Sequence, residues 1–172
     1  SVYLFDRELG GKRHYARLTV EVVPRERGCG NAVEISSGVR RKLPDEGLAD
    51  CVEQGLTDGI LTGVLARYPM KDVLAKVTDA VFMDEETATD VAFRTAAVMG
   101  FREAALAASP ELLEPIMSLD IVTPADYVGD IMGDINGRRG SVRDMTTRGD
   151  MQTVRAQVPL AELFGYSTAT RS

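Results

Sequence analysis

The stretch from 112 to 141 constrains the fold most, because it indicates a strand, a helix and a return in one pass. After Pro115, apolar and polar side chains alternate with the period of a half-buried strand. Thr123 is expected to cap the following helix, with Pro124 at its first position. An apolar stripe then recurs at helical spacing; its members are Tyr127, Val128, Ile131, Met132 and Ile135. The pattern predicts half of a split βαβ unit.

Two arginines follow this predicted helix. Asn136-Gly137 is a typical helix end, and it places Arg138 and Arg139 in the last turn, where cations interact favourably with the helix dipole. The same guanidinium groups are also suited to RNA phosphates. Both interpretations, a helix cap and an RNA contact, stay open at this point.

The rest of the pattern indicates an α+β protein of two small domains, with a boundary near Ser109-Pro110. Strands are predicted at 15–23, 32–35, 73–77, 142–146 and 152–158. Helices are predicted to begin at Asp45, to span 87–108 and to run from 160 to 166. The domains are therefore 1–111 and 112–172. A βαββαβ arrangement needs one more strand than the second domain supplies before Ser172, so we expect a fragment.

Several segments are expected to lie outside regular elements. Residues 1–9 indicate a tail or a short entry strand, 10–14 a flexible basic turn, and 36–38 a turn. Residues 59–69 are expected to turn back after the first helix. Residues 79–86 indicate an acidic loop in which Phe82 and Met83 are exposed.

Composition limits the possible functions. The net charge is −6, which argues against broad, non-specific nucleic-acid binding. Residues 1–44 carry an excess of positive charge, so this part can meet phosphate while the rest does not; an unevenly charged solvated surface is the alternative. Two cysteines, no signal peptide and no long apolar run predict a reduced, cytoplasmic protein without a membrane span.

Few residues offer catalytic chemistry. Asp84, Glu85 and Glu86 could bind a metal or move protons, but a solvated loop is the simpler interpretation. His14 is the only histidine, which disfavours a nucleophilic triad, and Cys51 is expected to be a small core residue. No Gly-Lys-Ser/Thr phosphate loop occurs. We therefore expect no catalytic residue, no metal site and no cofactor within this chain.

Longer motifs carry a family resemblance. The run Leu112-Leu113-Glu114-Pro115-Ile116-Met117, the pair Thr123-Pro124 and the run Gly129-Asp130-Ile131-Met132-Gly133-Asp134 resemble the fifth domain of bacterial elongation factor G. The run from Val158 to Tyr166 and the final Arg171-Ser172 resemble the same domain. The similarity extends more loosely back to about Gly10, over the fourth domain.

The resemblance implies a βαβ-type fourth domain followed by a ferredoxin-like fifth domain lacking its last strand. It implies binding to the ribosome, through ribosomal RNA and through tRNA in the decoding region, by a monomer. The fourth-domain tip would use two loops, 10–15 and 79–86, and the fifth domain the arginine pair. The implied RNA-contacting residues are Gly11, Lys12, Arg13, His14, Phe82, Met83, Asp84, Arg138 and Arg139. GTP and magnesium would belong to a missing N-terminal GTPase domain.

The tip departs from the family pattern. Arg13-His14 stands where Gly-Gln usually precedes the tyrosine, and the second loop lacks the usual Gly-Ser-Tyr-His. We expect a divergent paralogue. Translocation of tRNA and mRNA is the primary functional expectation. The alternatives are ribosome recycling, ribosome protection, or a stand-alone RNA- or ribosome-binding module.

Overall fold

Two β-sheets, one in each part of the chain, organise the structure. The computed structural model describes residues 1–164. The chain divides into a first unit, Ser1–Glu111, and a second unit, Leu112–Ser172. Each unit combines its sheet with helices, so the α+β fold class is confirmed.

The first unit contains a four-stranded sheet with the order β1-β2-β4-β3. Its elements are β1 (Val2–Leu9), β2 (Lys12–Pro24), β3 (Ala32–Ile35), α1 (Ser37–Lys42), α2 (Glu46–Thr62), β4 (Val73–Val81) and α3 (Asp90–Ala107). Strand β3 pairs in parallel with β4 across the two helices between them, whereas β1 and β4 pair antiparallel with β2. The predicted βαβ character is therefore present.

The core of this unit lies between the sheet and helices α2 and α3. Phe93, Phe101, Leu56, Leu18 and Val77 are fully buried there. Glycines allow the helices to approach closely. A Cβ added at Gly59 would lie 2.6 Å from the Phe101 ring, and one at Gly100 would lie 2.8 Å from a methyl of Val20.

Two expectations for the first unit are wrong. The 36–38 segment is not a turn, because Ser36 caps helix α1 with its side chain. Gly59 does not begin a return, because helix α2 continues to Thr62 and uses this glycine for packing. Of the two alternatives for residues 1–9, the strand is confirmed and the tail is wrong: Val2–Leu9 form β1, which pairs along its whole length, and Phe5 is buried in the core.

The second unit contains a three-stranded antiparallel sheet with the order β5-β7-β6 among the described residues. Its elements are β5 (Ile116–Pro124), a 3₁₀ turn (Ala125–Tyr127), α4 (Val128–Gly137), β6 (Ser141–Arg148), β7 (Met151–Pro159) and a 3₁₀ turn (Leu160–Leu163). Both β5 and β6 pair with β7, so β5, α4 and β6 form the predicted split βαβ unit of a ferredoxin-like domain.

The core of the second unit is small. Among the residues described, its buried members are Ile135 from α4 and Val154, Ala156 and Val158 from β7. Leu119, Ile121, Val128, Ile131 and Val142 pack around them while staying partly exposed. The alternation predicted for β7 is confirmed.

The helix boundaries predicted around α4 are wrong. Thr123 does not cap the helix: it pairs with Gln152 in the sheet and is buried, and β5 continues through Pro124. The helix ends at Gly137, so Arg138 and Arg139 follow it instead of occupying its last turn. The predicted 160–166 helix begins as a 3₁₀ turn, and its last two residues lie outside those described.

No helix within residues 1–164 combines the length and apolar character that a membrane crossing needs.

Candidate functional site

The two segments expected to form the tip lie side by side. We call the tip the end of the β1–β2 hairpin, residues 10–15, together with residues 79–86. The backbone N–H of Tyr15 donates to the carbonyl of Thr87 at 2.9 Å. His14 Nδ1 lies 2.6 Å from Thr89 Oγ1, a contact between residues 75 positions apart. The fold therefore brings the two sequence-predicted loops to one place.

A two-glycine turn forms the end of the hairpin. Gly10 and Gly11 both have positive φ angles, 61° and 77°, as a type I′ turn requires. The flanking pair is Leu9 with Lys12, and the register continues without interruption to Val2 with Thr19. Lys12, Arg13 and His14 therefore lie in strand β2, and the expectation of a flexible basic turn over 10–14 is wrong beyond Gly11.

Arg13 is held by an ion pair within the hairpin. Its Nε and Nη2 donate to the two carboxylate oxygens of Asp6 at 2.9 and 2.8 Å. The guanidinium carbon also lies 6.0 Å from the centre of the Tyr15 ring. Hydrogen bonding to Arg13 lowers the pKa of Asp6, and the reverse contact raises the pKa of Arg13. Much of the positive charge of Arg13 is thus balanced locally.

His14 is positioned by the start of helix α3. The hydroxyl of its partner Thr89 also accepts a hydrogen bond from the backbone N–H of Ala92, so Thr89 is the N-cap of α3. A single threonine therefore caps the helix and holds the imidazole. The sequence analysis did not identify Thr89. Threonine is a favoured N-cap residue, and its place three residues before Ala92, whose amide it caps, is the signal that could have identified it.

Phe82 is not the exposed aromatic that the sequence suggested. Its ring centre lies 6.5 Å from that of Phe93, and the side chain packs against the core while staying partly exposed. Residues 79–81 belong to β4, so the loop is shorter than expected. Met83 is 55% exposed, as expected, and it is the large apolar side chain that the second segment presents to solvent.

Asp84 closes the second segment. Its Oδ1 accepts hydrogen bonds from the hydroxyl and the backbone N–H of Thr87, both at 2.8 Å. The hydroxyl bond, followed by the backbone bond, lowers the pKa of Asp84. This carboxylate therefore organises the turn before α3. Within residues 1–164, no group of three His, Cys, Asp or Glu side chains is arranged to hold a metal ion.

The backbone of Arg139 ends helix α4, and its side chain contacts two other segments. Its φ angle is 55°, and the amide N–H groups of Arg139 and Gly140 donate to the carbonyls of Asn136 and Ile135. This is a Schellman motif with an arginine at the position that glycine usually occupies. The Arg139 guanidinium donates to Glu114 at 2.9 Å and to Glu162 at 3.0 Å.

Arg138 makes a parallel set of contacts. It pairs with Asp134 one turn earlier and donates to the carbonyl of Glu162 at 2.6 Å. Together the two arginines connect the start of β5, the end of α4 and the 3₁₀ turn after β7. Glu114 and Glu162 were not identified from the sequence, because they lie 25 and 23 positions from Arg139.

Cys51 is half-buried in helix α2. Burial, and then the neighbouring Asp90, raises the pKa of its thiol, which disfavours the reactive thiolate. Cys51 is not among the buried members of the first unit's core, so the expectation of a core residue is wrong for this position.

Comparison with known proteins covers both units. Residues 1–109 match the family described as elongation factor G, domain IV, and residues 111–172 match the elongation factor G C-terminus. A solved protein from Thermus thermophilus superposes with a TM-score of 0.81 at 30% identity, over 98% of this chain. The chain spans 25% of that protein's length. The chain therefore belongs to the elongation factor G family, of which it carries the fourth and C-terminal domains.

Proposed function

We propose that this chain is the ribosome-contacting part of a translational GTPase that moves tRNA and mRNA during protein synthesis. The observation that carries the proposal is the contact of Tyr15 and His14 in the hairpin with Thr87 and Thr89, which directly follow the 79–86 segment. Asp84 of that segment is itself hydrogen-bonded to Thr87. Two segments far apart in sequence thereby form one rigid end of the first unit. A pre-organised end of this kind loses little conformational entropy when it enters a crowded RNA site.

The chemistry of the tip fits contact with RNA better than catalysis. Lys12 is exposed, His14 is held by a hydrogen bond, and Met83 supplies an exposed apolar surface. Cationic groups bind phosphates, whereas the carboxylate of Asp84 interacts electrostatically with Arg13, so binding would be local and selective. We further propose that the protein is monomeric and cytoplasmic and that its partners are ribosomal RNA and tRNA in the decoding region.

We also propose that GTP and magnesium bind to another domain of the full-length protein. The residues of this chain do not fit a nucleotide, because no Gly-Lys-Ser/Thr loop is present to hold the phosphates and the metal ion. This chain alone should neither bind nor hydrolyse GTP. Micromolar binding of guanine nucleotide to the chain in a calorimeter would overturn this part of the proposal.

A chimera tests the translocation step. Residues 79–86 are grafted into a competent elongation factor, and single-round translocation is followed by stopped flow. One additional carboxylate facing phosphate at about 6 Å costs about 0.7 kcal/mol in water, and a lost hydrogen bond costs about 0.5–1.5 kcal/mol. We therefore expect translocation to slow by roughly tenfold.

The matched control grafts residues 10–15 instead, which changes the other half of the tip. A 79–86 chimera as fast as its parent would show that this segment is compatible with translocation and does not set the protein apart. A chimera that binds ribosomes but never translocates would favour recycling or ribosome protection over translocation.

A further inference from the structure

The two faces of the β1–β2 hairpin differ in charge. Residues directly opposite in the antiparallel pair share a face, and the face alternates along each strand. Phe5 and Ala16 are opposite each other and buried, which identifies the face that points toward the helices. Two residues further toward the turn, Arg7 is opposite His14 on that same face. Leu9 and Lys12 complete it.

On the opposite face of the hairpin, acidic residues balance the positive charge. It carries Asp6 opposite Tyr15 and Glu8 opposite Arg13. Because Asp6 holds Arg13 with two hydrogen bonds, the guanidinium is already neutralised, and Glu8 leaves an additional negative charge. This face repels a phosphate chain more than it attracts one.

The helix-side face has no such balance. Near the turn it presents Arg7, Lys12 and His14 without an acidic residue among its members. Within residues 1–164, no ion pair joins Arg7 or Lys12 to a carboxylate. The Arg7 guanidinium carbon lies 5.9 Å from the centre of the Phe5 ring, and the side chain is exposed.

We infer that the helix-side face of the hairpin, with Arg7 as its principal new member, binds the phosphate backbone of RNA, and that Arg13 contributes little. The inference rests on the proposed function and specifies which side of the tip meets RNA. Arg7 lies between Asp6 and Glu8 in the sequence, so the local sequence gives no sign of a cationic site. The strand register removes both acids to the opposite face and places Arg7 beside His14.

Two matched substitutions test the inference. Arg7→Gln and Arg13→Gln remove the same charge from the same hairpin, on opposite faces. The fluorescently labelled chain is titrated with purified small ribosomal subunits at several salt concentrations between about 50 and 200 mM. Losing one phosphate contact should reduce the slope of log K against log salt by about 0.8, which corresponds to about sixfold weaker binding at about 0.1 M salt.

We expect this change for Arg7→Gln, an unchanged slope for Arg13→Gln, and a near-normal slope for Arg7→Lys, which keeps the charge. Circular dichroism of each variant checks that the fold is intact. Equal slope changes for both glutamine variants, or a change for Arg13→Gln alone, would overturn the assignment of the face. Absence of wild-type binding at the lowest salt concentration would instead overturn the proposed function, and this inference with it.

Discussion

The first unit is stabilised by a broad apolar core, whereas the core of the second unit, within the described residues, consists of Ile135, Val154, Ala156 and Val158. In the first unit, two long helices cover a four-stranded sheet. In the second, one ten-residue helix lies over three strands, and the ion pairs of Arg139 connect the end of this helix to Glu114 and Glu162. The buried fraction of the surface falls as domains become smaller, so each buried side chain matters more in a small unit.

The two candidate RNA-contacting regions differ in how their basic residues are paired. At the tip, the hairpin register places Arg7 opposite His14 and Lys12 opposite Leu9. Neither forms an ion pair with a carboxylate of residues 1–164, so their charge is available for binding. In the second unit, both arginines are occupied by contacts that close the helix and hold the chain after β7. Basic residues that look equivalent in the sequence therefore have different primary tasks.

The largest expected effect compares an isoleucine in each core. Ile60 and Ile135 are 3% and 1% exposed, and Ile→Ala at either costs about 2–5 kcal/mol. We expect Ile135→Ala to unfold the second unit at room temperature, since few buried residues would remain, and Ile60→Ala to leave the first unit folded. Hydrogen exchange of β7 and β2 amides measures the two outcomes separately. A second unit that stays protected in Ile135→Ala would contradict the comparison.

A smaller loss is expected from Gly140→Ala. An added Cβ would lie 2.6 Å from a methyl of Val158 and 2.8 Å from a methyl of Ile135, directly on the small core. Overpacking of this kind costs about 1–3 kcal/mol. Gly137→Ala is the matched control, because a Cβ there has no neighbour within 4 Å among residues 1–164 outside its own helix and should be tolerated. Thermal unfolding of the two variants should differ by several degrees; equal melting temperatures would show that the core can relax around residue 140.

Two substitutions at Arg139 distinguish the contribution of its backbone conformation from that of its side-chain contacts. Arg139→Gly and Arg139→Ala both remove the contacts with Glu114 and Glu162, but only glycine adopts the 55° φ angle without strain. We expect Arg139→Ala to lower the melting temperature of the second unit more than Arg139→Gly, in which relief of backbone strain offsets the lost ion pairs, and by less than Ile135→Ala. If ribosome binding falls in both variants while melting is unchanged, the arginine is an RNA contact and its ion pairs are incidental.

The sequence identified most elements of the fold, because long apolar periodicity survives folding. The β2, β7 and α3 patterns gave the right type and nearly the right bounds, whereas the β4 pattern ended at 77 and the strand continues to Val81. The errors came from local rules. Thr123 has the sequence of a helix cap, yet pairing with β7 extends the strand past it, and tertiary pairing outweighs a cap of about 1 kcal/mol.

The site was harder to predict for a different reason. Gly10-Gly11 marks the hairpin turn directly, but the roles of Arg7, Arg13 and His14 depend on which residue lies opposite each one. Phe82 was misjudged because its burial depends on Phe93, eleven positions away on a helix. Contacts between distant residues, such as His14 with Thr89, have no signal in a single sequence.

The smallest expected effect concerns Asp84, which shows how the first unit fixes a loop outside its core. Thr87→Val removes the hydroxyl that donates to the carboxylate at 2.8 Å but keeps the backbone donor. Because the hydroxyl is the main cause of the lowered pKa, the pKa of Asp84 should rise toward its ordinary value without reaching it. Carbon-detected NMR titration of the Asp84 carboxyl group measures this.

The sign of the stability effect follows from the same shift. A carboxylate with a lowered folded pKa stabilises the protein above its unfolded pKa, about 3.9, and this contribution is lost as pH falls through the folded value. The wild type should therefore exceed Thr87→Val in stability at neutral pH, and the difference should shrink below about pH 4. Thr57→Val is the control, since that hydroxyl donates to the backbone carbonyl of Glu53 within helix α2. If Thr87→Val leaves the pKa of Asp84 where it is in the wild type, the backbone N–H alone fixes the turn, and the hydroxyl of Thr87 has no part in shaping the tip.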